Sequence, residues 1–91
     1  MMKKVKVIVS GRVQGVWYRA STYKKAVEFG VNGYVRNLIN GNVEFVAEGE
    51  ESKVDQLIEW ARLGPEFADV EDLQIEVLEY DSEYDDFKVK H

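Results

Sequence analysis

The dipeptide Asn40-Gly41 lies between VNGYVRNL and VEFVAE, two runs that alternate apolar and polar residues. Val43, Phe45 and Ala47 carry the alternation after it. Asn-Gly between alternating runs is the strongest short-range hairpin signal, because both turn positions of a tight hairpin need φ > 0. A hairpin at the middle of the chain constrains everything on either side. Before it, Val5, Val7 and Val9 alternate with Lys4, Lys6 and Ile8, the period of a strand with one buried face. Residues 19–29 break that period and place Tyr23, Ala26 and Val27 on one helical face, with Gly30 as the C-cap. After it, Val54, Leu57, Ile58 and Ala61 are spaced as a helix over 52–63. Ser52 is the candidate N-cap and Gly64-Pro65 the stop. Leu73, Ile75 and Val77 then alternate with Gln74 and Glu76, and Phe87 and Val89 suggest a short last strand.

The order is therefore β-α-β-β-α-β with a fifth strand. This predicts an α+β fold, a ferredoxin-like α/β sandwich with an antiparallel sheet of 4–5 strands and two helices on one face. At 91 residues the chain makes one domain, 1–91, burying about two-thirds of its unfolded surface. No linker, repeat or low-complexity segment divides it. The acidic run EYDSEYDD reads as a solvated turn. Such a fold hosts many functions, so the site must be argued from residues.

Charge narrows the choice. The net charge is −5, which disfavours non-specific binding to nucleic acid or anionic lipid. The first 36 residues, however, hold eight of the twelve Lys and Arg and one acidic residue, Glu28. An anion would be handled there. There is no cysteine, hence no disulfide and no thiolate nucleophile or metal ligand. No signal-peptide pattern and no bilayer-length apolar stretch occurs, so a cytoplasmic protein without a membrane partner is expected.

The stretch GRVQGVWYR, Gly11 to Arg19, joins the first strand to the first helix. A glycine-bearing loop that enters a helix offers backbone N–H groups without intrahelical partners, an anion site reinforced by the helix dipole. Arg19 in the first turn is repelled by that dipole at a cost of about 0.3–1 kcal/mol. An anion between the two converts repulsion into shared attraction, and a guanidinium fork fits phosphate oxygens bidentately. The alternative is a solvated residue at a helix start. No P-loop and no dinucleotide fingerprint is present. Asn37 lies in a strand, where asparagine is disfavoured. It marks either the hairpin approach or an amide that holds a small molecule.

Together GRVQGVWYR and GYVRNLINGNVE resemble the acylphosphatase family, which carries G-R-V-Q-G-V-x-F/Y-R followed by G-W/Y-V-R-N-x-x-D/N-G-x-V-E. AEG at 47–49, the Gly64-Pro65 helix end and Phe87 also match. The resemblance implies hydrolysis of the carboxyl–phosphate bond of acyl phosphates to carboxylate and inorganic phosphate. It implies that Arg19 binds phosphate and Asn37 orients the water. It also implies that the backbone N–H groups of Gln14, Gly15, Val16, Trp17, Tyr18 and Arg19 form the cradle, with Thr22 as support. The expected partner is a small-molecule acyl phosphate, with inorganic phosphate as product and inhibitor. No cofactor, no metal and no nucleic acid is implied, and the expected state is a monomer. Trp17 replaces a more usual Gly or Phe, Tyr18 the commoner Phe, and Ile39 stands where proline is common. His91, the last residue, reads as a frayed terminus.

Three rivals stand beside this reading. One is a ferredoxin-like module that binds an anion without turnover. Another is an RRM-type nucleic-acid binder using Tyr34 and Phe45. The third is a domain cut from a larger carbamoyl-transfer maturation protein.

Overall fold

The computed structural model describes residues 1–91. In chain order the elements are β1 (Met2–Arg12), α1 (Tyr18–Phe29), β2 (Asn32–Asn37), β3 (Val43–Glu50), α2 (Glu51–Leu63), β4 (Asp69–Leu78) and β5 (Phe87–Lys90). They form one five-stranded sheet in the order β4-β1-β3-β2-β5. β1 is antiparallel to β3 and β4, and β2 is antiparallel to β3. α1 thus carries the chain from β1 to β2, and β3 is slotted between that pair. This is the expected split βαβ. The fifth strand departs from an all-antiparallel sheet, because β5 runs parallel to β2. The chain leaves β4 beside Lys4 and crosses to the other edge at the same end of the sheet, so that Phe87 starts β5 beside Gly33 at the start of β2 and the two strands run together.

The register explains the layers. Val7 faces Phe45, and Val35 faces Phe45 from the other side. Val5, Val7, Val9, Val35, Val43, Phe45 and Ala47 share one face and are fully buried with Ala26, Val54, Leu57 and Ala61 of the helices. Each buried valine or leucine contributes about 1.5–3 kcal/mol. The spacing read for α2 agrees with its buried stripe. That for α1 is rotated: the buried residues are Tyr18, Thr22 and Ala26, while Tyr23 and Val27 are exposed. Thr22 can be buried because its hydroxyl donates to the Tyr18 carbonyl (2.8 Å).

Several turns differ in detail. Gly30 ends α1 in the left-handed region, φ 72°. Val31 N–H then reaches back to the Ala26 carbonyl (3.0 Å), the expected C-cap. The hairpin is present, but its turn spans Leu38 to Gly41. Gly41 N–H donates to the Leu38 carbonyl, and only Gly41 has positive φ. The Asn40 side chain is used instead to accept from Asn42 N–H (3.1 Å). Ser52 lies inside α2. The N-cap position is Glu50, without a side-chain cap, and Glu51 N–H donates to the Met1 carbonyl. On edge strand β4, Ile75 and Val77 point to the helical side yet stay exposed, because two helices do not span five strands.

The acidic run is solvated along most of its length, but it is a strap rather than a turn. Residues 79–86 cross the sheet face opposite the helices and are pinned to it. Lys4, buried on that face, donates to Asp81 (2.9 Å) and Glu83 (2.6 Å). Tyr84 N–H donates to Glu48, and Asn32 donates to the Tyr84 carbonyl. Its hydrogen bonds to the Glu83 and Asp81 carboxylates hold the Lys4 pKa well above the usual lysine value. On the same face, Glu44 accepts from Tyr34 Oη (2.7 Å) and Arg36 Nε (2.8 Å). Burial pushes Glu44 up, but those two bonds hold its pKa below the usual value. Burial, then the bond to Glu44, pushes Tyr34 up to about 12.

Candidate active site

The site begins at the end of β1. The β1–β4 register slips between Ser10 and Gly11. Gly11 has φ 116°, and a Cβ there would collide with the Asp69 carbonyl. Glycine at this bulge permits the close approach and turns the chain toward the helical layer. Val13 and Val16 are buried and anchor the loop. Between them Gly15 takes φ 73°, and Trp17 follows with φ 68°. Left-handed residues of this kind curl successive N–H groups toward one side.

The first turn of α1 is left open. Trp17 occupies the N-cap position without a side-chain cap, and no acidic residue lies in that turn. The first backbone bond of the helix runs from Ser21 N–H to the Trp17 carbonyl (3.0 Å). The N–H groups of residues 14–20 donate to no other protein group, so the positive end of the dipole faces outward.

Two long side chains fix this loop. Tyr18 is fully buried, its ring 5.6 Å from that of Trp60, and its hydroxyl donates to the Ala61 carbonyl (2.8 Å). Burial pushes that phenol far above the usual tyrosine value, so it stays a donor. Gln14 Nε2 donates to the carbonyls of Leu38 (2.7 Å) and Asn42 (2.8 Å). The loop is thereby clamped to the hairpin whose first strand ends in Asn37.

Strand parity brings the other residues in. Gly33, Val35 and Asn37 share the helical side of β2, and Val89 on β5 faces Val35. Asn37 is the last inward position of its strand, which explains an amide in a β-run. Arg19, one residue into α1, donates from Nη1 to the Lys90 carbonyl (3.1 Å), and the same nitrogen lies 3.4 Å from His91 Nδ1. The result is a cleft of about 510 Å³ lined by Gly15, Trp17, Arg19, Ala20, Asn37, Val89 and His91, with the buried Val13 and Tyr18 at its base. Arg19 and Asn37 therefore share one cleft with Gly15, Trp17 and Tyr18. Val16 is turned into the core and Gln14 into the clamp, and neither lines the cleft. Thr22 lies beneath the helix, outside the cleft.

Two features escaped sequence reasoning. The Gln14 side chain gives no local signal, because its partners are carbonyls of a distant turn. His91 and the Lys90 carbonyl reach the cleft because β5 pairs with β2, a placement no local pattern carries. In the other direction, the nucleic-acid reading loses its platform. Phe45 is fully buried, and Tyr34 is engaged with Glu44, with the Lys90 ammonium 4.0 Å over its ring.

A family model described as Acylphosphatase matches residues 5–89. The chain is 51% identical to an acylphosphatase of Methylococcus capsulatus, over 97% of this chain and 96% of that one. The structure superposes on an acylphosphatase from Coxiella burnetii with TM-score 0.92 at 42% identity, covering 98% of this chain and 93% of the other. It superposes on the crystal structure of an acylphosphatase from Bacillus subtilis with TM-score 0.94 at 30% identity, covering all of both chains.

Proposed function

The chain belongs to the acylphosphatase family, and from that premise we propose that the loop amides of residues 14–19, with Arg19 and Asn37, carry out the family's hydrolysis. The protein is an acylphosphatase, splitting the carboxyl–phosphate bond of a small-molecule acyl phosphate. The observation that carries the residue assignment is the shared cleft. Arg19 and Asn37, from different elements, meet at the uncapped start of α1.

The phosphoryl group sits in the curl of amides with its peripheral oxygens on N–H groups. Arg19, steadied on the Lys90 carbonyl through Nη1, turns its remaining donors to the same oxygens. Charge-assisted bonds of this kind contribute about 1.5–3 kcal/mol each. Phosphoryl transfer spreads charge over those oxygens in a loose transition state, so positioning and electrostatics do most of the catalysis. The Asn37 amide orients a water in line with the scissile P–O bond. The water oxygen bonds to phosphorus and the P–O bond to the acyl oxygen breaks. The electron pair leaves on the carboxylate, and the water proton passes to a phosphate oxygen. The carboxylate is a good leaving group, so no general acid is assigned. No group of three or more His, Cys, Asp or Glu is arranged to hold a metal ion, and no step uses one. No helix is long and apolar enough to cross a membrane. We propose one domain over 1–91, acting as a cytoplasmic monomer, with inorganic phosphate as product and competitive inhibitor.

The test separates the two side chains. A contact made in ground and transition states supports binding and rate together, whereas one made only in the transition state supports kcat. Arg19→Ala therefore loses phosphate affinity and activity together. Asn37→Ala still binds phosphate but turns over at least about a hundredfold more slowly, the scale seen for one oriented polar group. Calorimetry with phosphate, kcat on an aryl acyl phosphate and a thermal melt check each variant. A folded Asn37→Ala with normal kcat removes the water-positioning role.

A further inference from the structure

The loop that opens α1 contains an outlier that phosphate binding alone does not explain. Trp17 and Ser82 are the two non-glycine residues with positive φ, and Trp17 sits at φ 68°, ψ 18°. A bulky residue held there is strained in a way that glycine would not be. Packing does not offset that strain, because Trp17 is 74% exposed. The other tryptophan, Trp60, stacks on Tyr18 in the usual way. The Trp17 indole instead walls the cleft that holds Arg19 and Asn37.

That cleft is far larger than a phosphate needs. It measures about 510 Å³, against about 30 Å³ for one liquid water. Beside Trp17 its apolar lining is Val13, Tyr18, Ala20 and Val89, its polar side chains are Arg19, Asn37 and His91, and Arg19 is the one lysine or arginine of the cleft. A second phosphate or a carboxylate on the acyl side would meet no further lysine or arginine. An uncharged apolar group would meet an indole face, valine and alanine.

We propose that Trp17 is a specificity-determining residue whose indole receives the acyl group of the substrate, selecting aromatic or extended apolar acyl phosphates over small ones. The inference rests on the hydrolase reading above. The geometry is economical: the Trp17 amide belongs to the cradle, so its side chain departs from beside the phosphorus. The acyl carbon is one bridging oxygen from the same atom. A tryptophan presents a large flat surface with two rotatable bonds, so little side-chain freedom is lost on contact. Aromatic partners stack or meet edge-on with centroids about 4.5–7 Å apart.

The experiment compares kcat/KM for benzoyl phosphate and acetyl phosphate in the wild type, Trp17→Gly and Trp17→Phe. Glycine adopts φ 68° without strain, so a loss in Trp17→Gly does not arise from backbone distortion. The expected result is a benzoyl-to-acetyl ratio at least about tenfold lower in Trp17→Gly and largely kept in Trp17→Phe, the scale of one lost apolar contact. A second readout uses Trp60→Phe, which leaves Trp17 as the sole indole. Its emission should respond to phenylphosphonate and not to methylphosphonate. A wild type active on both substrates, with a Trp17→Gly ratio within twofold and silent emission, overturns the inference alone. A wild type that hydrolyses neither substrate overturns the hydrolase reading and this inference with it.

Discussion

At the scale of single residues, Tyr18 does work that its place in the motif does not advertise. Its amide faces the cleft while its ring fills the core and its hydroxyl reaches the Ala61 carbonyl. One side chain thus ties the first turn of α1 to the last turns of α2. Tyr18→Phe keeps the ring and deletes that bond, leaving a buried carbonyl short of a donor. The expected loss is about 1 kcal/mol, or a fall in Tm of about 4–8 °C for a domain of this size. A calorimetric melt of the two proteins checks it. Asn37 shows the complementary case. A polar residue at an inward strand position weakens a core, and here the penalty is avoided because β2 ends at the cleft.

At the scale of elements, β5 is the smallest strand and the most consequential for the site. It has four residues, pairs only with β2, and its Lys90 carbonyl holds Arg19. Phe87, 5% exposed, is its anchor in the core. Phe87→Ala should cost about 3 kcal/mol and loosen the strand, so that phosphate affinity falls along with Tm. Calorimetry well below the lowered Tm distinguishes the two effects. Unchanged affinity in the folded variant would mean that Arg19 is positioned without β5. The helices were legible at their C-terminal ends, where Gly30 and Gly64-Pro65 act locally. They were less legible in rotation. Thr22 rather than Tyr23 is buried in α1, because a threonine hydroxyl can be satisfied by its own helix, and periodicity weighs only hydrophobicity.

At the scale of the whole molecule, the sheet is flanked on both sides, by helices on one and by the acidic segment 79–86 on the other, with edge strand β4 left largely exposed. That second face is polar and depends on pH. The folded pKa of Glu44 lies below its ordinary value of 4.5. Its contribution is therefore present above that value and lost as pH falls through the folded one. Lys4 is opposite: its contribution is complete below 10.5 and is lost as pH rises through its raised value. Stability should hold between those limits and fall on acidification. Glu44→Gln removes the titrating group, so its Tm is lower at neutral pH but declines less than that of the wild type between about pH 5 and about pH 3. Parallel acid limbs in the two proteins would count against Glu44 as a contributor.

The sequence by itself determined the order of elements, the position of the hairpin, the two helix stops and the pairing of a glycine loop with Arg19. Each of these rests on short-range chemistry: alternation, helical period, glycine at positive φ, donors left free at a helix start. Tertiary structure alone decided the parallel edge strand, the strap across the polar face, the Gln14 clamp and the presence of Lys90 and His91 beside Arg19. Those contacts join residues more than twenty positions apart. Such contacts are selected by how the sheet closes its edges and by where buried charges find partners, and no local pattern in the chain records either.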